Sequence, residues 1–597
     1  MTDKEEPPPF LSPGMKLFLS LNLLLFAALR SGMLSALLPV AARPAALQQH
    51  TGTRSAADPA GCPVGGLELS QLFSSHMVLQ RGEPSRVWGW APLGCAVSVL
   101  LEAEGGGWGL PPPVYAAVAH DGLGQWVATL PVQPGSLTSH RLTVRTAAGS
   151  ALVLTGVLFG EVLGCFGQSN IARSGIGSVA SALTLSPEVA EATQGLRAAL
   201  AAEPLPVRYL GIGVSLGYPE MWHSGPEGLP DFPHPIGMPW LPASTLTEAV
   251  LQNCSSTCWL WGREVAGRLG GSVPVGLLDA AVGGSPIQAW STAPSLQACA
   301  APPAAPTDFV AWSPGRPGAY YNSLIAPLAA GPLALGGLAW YNGETNSLFQ
   351  EAAYYACALP RLLADYRAAL RKPALWVALV ELHPFFIYDV TSTPTAALRG
   401  AQQAAAAATP GVTLVPAVDL GDAAGNLHPV GMAKVRLAQR LGAAFMDAAQ
   451  GHFQQGPLFA RSWPWEPHPL PSSSSSCRLG VRVEFEAGSV RGGGALGLRG
   501  WAADSQSSRC PEAEGVAALF CDWFSIQDSE GGWHNASAQV SAEGSALLLS
   551  VPECKAGLLP VATRSGWSGW PVVQLYDAAG YPAHPWPPTP VGEADEA

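Results

Sequence analysis

The stretch Val157–Phe166, VLFGEVLGCF, runs directly into Gly167-Gln168-Ser169-Asn170. Apolar residues fill the first ten positions, broken only by glycine and Glu161. That is the composition of a strand buried on both faces, as in a parallel sheet covered by helices. A serine on a tight turn after such a strand sits at the sheet's carboxyl edge, where open α/β sheets hold their ligands. Asn170 follows the serine, so the turn is not the G-x-S-x-G elbow of α/β-hydrolases. Taken alone, such a tetrapeptide is more often an ordinary surface turn.

The same grammar repeats downstream. Val273–Ala281, Ala334–Tyr341 and Leu375–Leu382 read as further buried strands. Thr245–Leu269, Tyr354–Ala369 and Val430–Ala449 read as helices, the first carrying Cys258, Trp261, Val265 and Leu269 on one apolar side. Alternating strands and helices predict an α/β domain over residues 157–450, with helices on both sheet faces. Arg173–Pro206, Pro226–Pro242 and Ala301–Pro317 read as insertions or loops. Upstream, residues 65–156 hold short strand candidates at Ser85–Trp90, Ala96–Glu102, Trp126–Leu130 and His140–Arg145, punctuated by Gly, Pro and Asp. This predicts an N-terminal β module. Pro467–Ser476 reads as a linker. A second β module is expected over 477–580, with strands at Arg478–Glu486, Val516–Phe524, Ala546–Val551 and Val572–Tyr576. The Pro-rich tail from Pro582 reads as disordered.

Composition narrows the function classes. The 597 residues are 48% hydrophobic, enough for several buried cores, which excludes wholesale disorder. The net charge of −12 argues against nucleic acid as a partner, since phosphate binding needs clustered Lys and Arg. A mean hydropathy of +0.20 reflects Ala-rich and Leu-rich segments. One segment calls for a membrane test, Leu17–Leu29, between Lys16 and Arg30. It is shorter than the about 20 residues a span requires. It reads instead as the apolar part of a secretory leader, residues 1–46, so no stable membrane insertion is expected. The compartment would be the secretory pathway, then extracellular or lysosome/vacuole-like. The 11 cysteines are an odd number, leaving at least one outside any intrachain disulfide. Cys254 and Cys258 share a helix face. No C-x-x-C pair occurs, so a structural zinc site is not expected. Of the sequons at Asn253 and Asn535, the second lies in a polar, Gly-rich stretch and is the better glycosylation candidate.

Three further polar blocks follow predicted strands. Val282-Gly283-Gly284-Ser285-Pro286-Ile287-Gln288-Ala289-Trp290 exposes backbone N–H groups at its glycines, the material of an oxyanion hole; it is also an ordinary strand-to-helix turn. Trp340-Tyr341-Asn342-Gly343-Glu344-Thr345-Asn346 offers Asn342 as an amide donor and Glu344 as a hydrogen-bond anchor or an acid/base group. Asp419-Leu420-Gly421-Asp422 leads to Asn426-Leu427-His428-Pro429. A serine hydroxyl is a poor nucleophile until a base takes its proton, and histidine is the usual base. His428 is the candidate and His383, just past another strand, its rival. A lone histidine in such a loop is more often a turn or capping residue.

In order, these nucleophile, glycine, amide and histidine blocks resemble those of the sialate O-acetylesterases of the SGNH (GDSL-like) hydrolase superfamily. Met77–Arg81 and Val87–Ala91 are similar to that family's N-terminal β module, and Cys258–Arg263 with Pro274–Leu277 leads into its glycine block. The resemblance implies an SGNH-type three-layer α/β/α catalytic domain flanked by N- and C-terminal β-sandwich-like modules. It implies Ser169 as nucleophile and His428 as general base. The Ser169 N–H, a backbone N–H at Gly283 or Gly284, and the Asn342 side chain would form the oxyanion hole. Asp422, Asp419 or a backbone carbonyl would orient His428; Asp422 is carried as the orienting residue. No metal or organic cofactor is implied. The implied reaction removes O-acetyl groups from sialic acids or related acetylated sugars and glycans through an acetyl-serine.

Three departures from the family pattern stand out. Asn342 replaces the usual Gln, Gly425 occupies the first position of the superfamily's D-x-x-H, and the nucleophile block continues as Ile171-Ala172-Arg173. Arg173 is a candidate partner for a sialate carboxylate, or a surface Arg. The alternative reading is a secreted carbohydrate-binding protein derived from an esterase, without catalysis.

Overall fold

The computed structural model describes residues 62, 64–106, 114–118, 124–172, 194, 198, 205–212, 231–233, 236–245, 254–300, 317–385, 393–421, 427–429, 431–466, 479–498, 524–551, 554–555, 557–571 and 573–593. Several sequence expectations lie outside these residues: the leader 1–46, Arg173 and nearly all of its insertion, Asn253, the loop 301–316, Asp422, the linker 467–476, Cys477, Cys510 and Cys521.

The α/β domain is built on a sheet whose strands are numbered here along the chain. They are β1 (Ala151–Gly167), β2 (Val207–Gly211), β3 (Met238–Pro242), β4 (Val275–Asp279), β5 (Gly337–Tyr341), β6 (Val377–Val380) and β7 (Val412–Val415). Their order across the sheet is β3-β2-β4-β1-β5-β6-β7. All neighbours are parallel except β3, which closes one edge antiparallel to β2. Strands β4, β5, β6 and β7 are buried almost throughout, as their apolar sequences require. The chain leaves β1 to build one side of the sheet and returns to its other flank with β5. The carboxyl end of β1, between β4 and β5, is therefore the topological switch point, where ligands of open α/β sheets bind.

Strand β1 is 17 residues long and serves two sheets. Its first half pairs antiparallel with Ser136–Thr146 and parallel with Val78–Gln80 of the N-terminal β module. Its second half pairs with β4 and β5. The position expected to separate the β module from the α/β domain thus lies inside a continuous strand. Consistent with this, Trp88 and Trp126 of the module share one apolar core with Leu163, Trp340 and Phe445 of the α/β domain.

The principal helices are α1 (Ser169–Ala172), α2 (Ser256–Arg268), α3 (Ala352–Ala369), α4 (Thr393–Ala408) and α5 (Met432–Ala448). The described part of the helix expected over Thr245–Leu269 starts at Ser256, because Ser255 caps it: its Oγ accepts from the Cys258 N–H at 2.9 Å. Helix α4 has no counterpart among the elements read from sequence.

The C-terminal region has its own core around Val481, Leu547, Trp570 and Trp586. It contains two four-stranded antiparallel sheets. One runs Phe459–Pro464, Gly480–Phe485, Ala546–Ser550, Ser537–Val540; the other runs Trp533–Asn535, Phe524–Asp528, Pro560–Ser565, Trp586–Pro590.

Two sequence expectations are corrected. The tail from Pro582 is not disordered: Trp586–Pro590 pairs with Pro560–Ser565 as an edge strand, and Trp586 stacks on Phe459 at 5.3 Å. Prolines are tolerated there because an edge strand leaves N–H positions without ladder partners. The segment Pro226–Pro242 is not wholly irregular, since it ends in β3. Trp240 anchors that strand, buried with its indole N–H on the Leu72 carbonyl at 2.9 Å.

Disulfides join Cys62 to Cys95, Cys165 to Cys258 and Cys299 to Cys357. The second ties β1 to α2, four residues before Ser169. Cys254 is buried outside any disulfide, and burial first, then the Asp279 carboxylate, pushes its thiol pKa up to about 12.

Candidate active site

Ser169 is placed by the two strands flanking β1. The Gly167 carbonyl accepts from Val282 N–H at 2.9 Å on the β4 side, and Gln168 N–H donates to the Tyr341 carbonyl at 2.9 Å on the β5 side. The Gln168 side-chain oxygen accepts from Gly343 N–H at 3.2 Å and Thr345 N–H at 3.4 Å. Gly167 has φ of 134°, and a Cβ there would stand 2.1 Å from the Tyr341 carbonyl oxygen. Only glycine fits this position.

The hydroxyl so placed meets His428: Ser169 Oγ lies 2.8 Å from His428 Nε2. Ser169 is 4% exposed. For the hydroxyl to donate, Nε2 must be bare and the ring proton must sit on Nδ1. Gly283 lies against the same serine; a Cβ built on it would be 3.5 Å from Ser169 Cβ. Ser169, His428 and the glycine block therefore converge.

Asn342 is fully buried, and its Nδ2 donates to the Ser285 carbonyl at 2.8 Å. One of its two amide hydrogens thus holds the glycine block, while its Oδ1 is buried without a hydrogen-bond partner. Thr345 Oγ1 donates to the Gly284 carbonyl at 3.0 Å, and Asn346 Oδ1 accepts from Ile287 N–H at 3.0 Å. Three side chains of the amide block thus brace the glycine loop. The sequence marked only Asn342 and Glu344 there.

Glu344 is an anchor. Its Oε1 accepts from Asn170 Nδ2, whose other bond goes to the Leu427 carbonyl at 3.0 Å. Complete burial outweighs that hydrogen bond and raises the Glu344 pKa to about 7. Lys434 Nζ donates to the Asn170 carbonyl. Asp419 gives its two carboxylate oxygens to Arg440, at 2.6 and 2.7 Å. His383 faces the Tyr341 hydroxyl at 2.6 Å and the Leu427 carbonyl at 3.0 Å, so the rival base is occupied away from the serine.

Comparison with known proteins agrees with the motif resemblance. Residues 256–447 match the family described as carbohydrate esterase, sialic acid-specific acetylesterase. The chain is similar to sialate O-acetylesterase of Pongo abelii, 28% identical over 323 residues covering 51% of this chain and 54% of that one. The Homo sapiens sialate O-acetylesterase gives the same identity and coverage. The chain thus spans about half the length of the curated relatives it matches. In structure it is similar to a carbohydrate acetylesterase from Xanthomonas citri, with a TM-score of 0.65 at 24% identity over 87% of this chain and 99% of that one. That likeness concerns the fold. Among the described residues no helix is long and apolar enough to cross a membrane.

Proposed function

We propose that this chain is a serine esterase that removes O-acetyl groups from sialic acids or related acetylated sugars. The observation that carries the reading is the 2.8 Å contact between Ser169 Oγ and His428 Nε2, with Gly283 beside the serine. The similarity to sialate O-acetylesterases adds the acyl group and the substrate class. An SGNH-type three-layer domain with flanking β-sandwich modules accommodates the sheet order and the separate C-terminal core.

In this mechanism Ser169 Oγ attacks the acetyl carbonyl carbon while its proton passes to His428 Nε2. The negative charge collects on the former carbonyl oxygen. The backbone N–H of Ser169, an N–H at Gly283 or Gly284, and the second amide hydrogen of Asn342 receive it. His428 then gives its proton to the departing sugar oxygen, leaving acetyl-Ser169. Water enters, His428 takes its proton, and hydroxide attacks the acetyl carbon. The proton returns to Ser169 as acetate leaves. Asp422 orients His428 and steadies its charged form. The disulfides within the described residues fit folding in the secretory pathway. Asn535, exposed at the end of its strand, is the glycosylation candidate.

Acetate release from O-acetylated sialic acid and from a generic acetyl ester tests the reading. The wild-type chain should turn over, while Ser169→Ala and His428→Ala should each lose at least about 10⁴-fold in kcat with unchanged thermal unfolding. Glycan binding without turnover would overturn it in favour of a binding protein.

A further inference from the structure

Strand β7 lies three strands from β1, about 14 Å at ordinary strand spacing. The loop that carries His428 leaves β7 and must cross the ends of β6 and β5 to reach Ser169. It is gripped on the way. The carbonyl of Leu427, the residue before His428, accepts two hydrogen bonds from different elements. One comes from Asn170 Nδ2 in α1 at 3.0 Å, the other from His383 Nε2 just past β6 at 3.0 Å.

A carbonyl oxygen only accepts, so His383 Nε2 carries the hydrogen. In a neutral ring Nδ1 is then the acceptor, and the Tyr341 hydroxyl donates to it at 2.6 Å. Both nitrogens are committed and the ring is fully buried. Burial holds the His383 pKa well below that of free histidine, and the positive charges of Lys434 and Arg399, with that of His428 whenever it is protonated, act in the same direction. Arg399 also donates to the His383 carbonyl at 2.9 Å, fixing the backbone beneath the ring. The acidic group nearby, Glu344, is held on Asn170, and its negative charge bears on Tyr341.

We propose that His383 is a positioning residue: its Nε2–H, together with Asn170 Nδ2–H, clamps the Leu427 carbonyl and sets the backbone from which His428 reaches Ser169. The catalytic consequence rests on the proposed esterase reading; the clamp itself does not. His383 touches no reacting atom. It acts through the placement of the base, and a misplacement of about 1 Å costs on the order of 10²-fold in rate.

Two measurements on the full chain test it. In protein labelled with ¹⁵N-histidine, His383 should show the Nε2–H tautomer unchanged from about pH 5.5 to 8.5, with its signal identified by its loss in His383→Gln. An Nδ1–H tautomer, with Nε2 bare, overturns the clamp whether or not the chain hydrolyses esters. In kinetics, His383→Leu should lower kcat about 10- to 100-fold with KM nearly unchanged. His383→Gln, whose amide places an N–H near the old Nε2, should recover most of that loss. Wild-type kcat in His383→Leu, or equal losses in both variants, refutes the positioning role. A wild-type chain without esterase activity refutes the proposed function, and the tautomer still decides the clamp.

Discussion

Ser169 Oγ and His428 Nε2 stand 2.8 Å apart across 259 residues of sequence. They meet because the chain turns back at β1. The serine follows the central strand β1, and the histidine comes after β7, the strand at the far edge. The base therefore depends on backbone held by side chains of α1 and of the loop after β6, and the nucleophile on the narrow fit of Gly167 against β5.

Two glycines beside Ser169 should respond differently to alanine. At Gly167 a Cβ would lie 2.1 Å from a backbone oxygen at φ of 134°, so Gly167→Ala should cost at least about 2 kcal/mol of stability. At Gly283 the new methyl would be 3.5 Å from Ser169 Cβ, ordinary contact. Gly283→Ala should fold normally, yet place a methyl beside the reacting serine; by displacing the ester about 1 Å it should lower kcat on the order of 10²-fold. Urea unfolding and steady-state kinetics on both variants check this; equal urea midpoints would contradict it.

Asn342 offers a separate test of the glycine loop. Asn342→Ala leaves the buried Ser285 carbonyl without its donor, a cost of about 1–3 kcal/mol. If the second amide hydrogen also meets the developing oxyanion, kcat should fall with little change in KM. Loss of stability with kcat intact would confine Asn342 to bracing the loop.

What the sequence displayed, and what it concealed, follows from the range of each signal. The buried strands at 157–166, 334–341 and 375–382 were legible because double-sided burial demands continuous apolar runs. Ser169, Gly283, Asn342 and His428 were legible as short polar blocks at strand ends. Helix α4 was not, because its buried face is built mainly of Ala, Thr, Gln and Arg rather than of the large apolar residues that mark a core-facing stripe. The terminal strand was hidden by its prolines, although Trp586 supplies its anchor. The Tyr341–His383–Leu427 contact depends on a strand end and two loops meeting, and no local spacing encodes that. His383 looked like a rival base for the same reason it serves as a clamp: both roles call for an imidazole at the strand's end.

The Cys165–Cys258 disulfide should be a major stabiliser of the site's scaffold. It closes 93 residues of chain, which in the loop-entropy account is worth about 4–5 kcal/mol. The double variant Cys165→Ala, Cys258→Ala should show a denaturation midpoint lower by a corresponding amount. If β1 and α2 are held chiefly by packing, the loss would stay near 1 kcal/mol, about what one buried small side chain contributes.

The contact between the α/β domain and the C-terminal region carries its own pH dependence. His584 is fully buried; its Nδ1 faces a Glu381 carboxylate oxygen at 2.8 Å, and its Nε2 faces the Gln455 carbonyl at 2.7 Å. Both partners accept, so both nitrogens carry hydrogen and the ring is an imidazolium. Burial opposes that charge, but Glu381 and the two hydrogen bonds outweigh it and raise the pKa above 6.5. A histidine whose folded pKa is raised contributes its full stability below the unfolded value of about 6.5, and loses it as pH rises through the folded value. His383, held low, has the opposite sign: its contribution is lost as pH falls below about 6.5. His584→Gln should therefore be destabilised most near pH 6, by about 3–5 kcal/mol as expected for breaking a buried ion pair. The gap should narrow toward pH 8.5. Chemical denaturation of both proteins across that range measures it. A gap independent of pH would mean that His584 is neutral in the folded protein and that Glu381 gains no cationic partner from it.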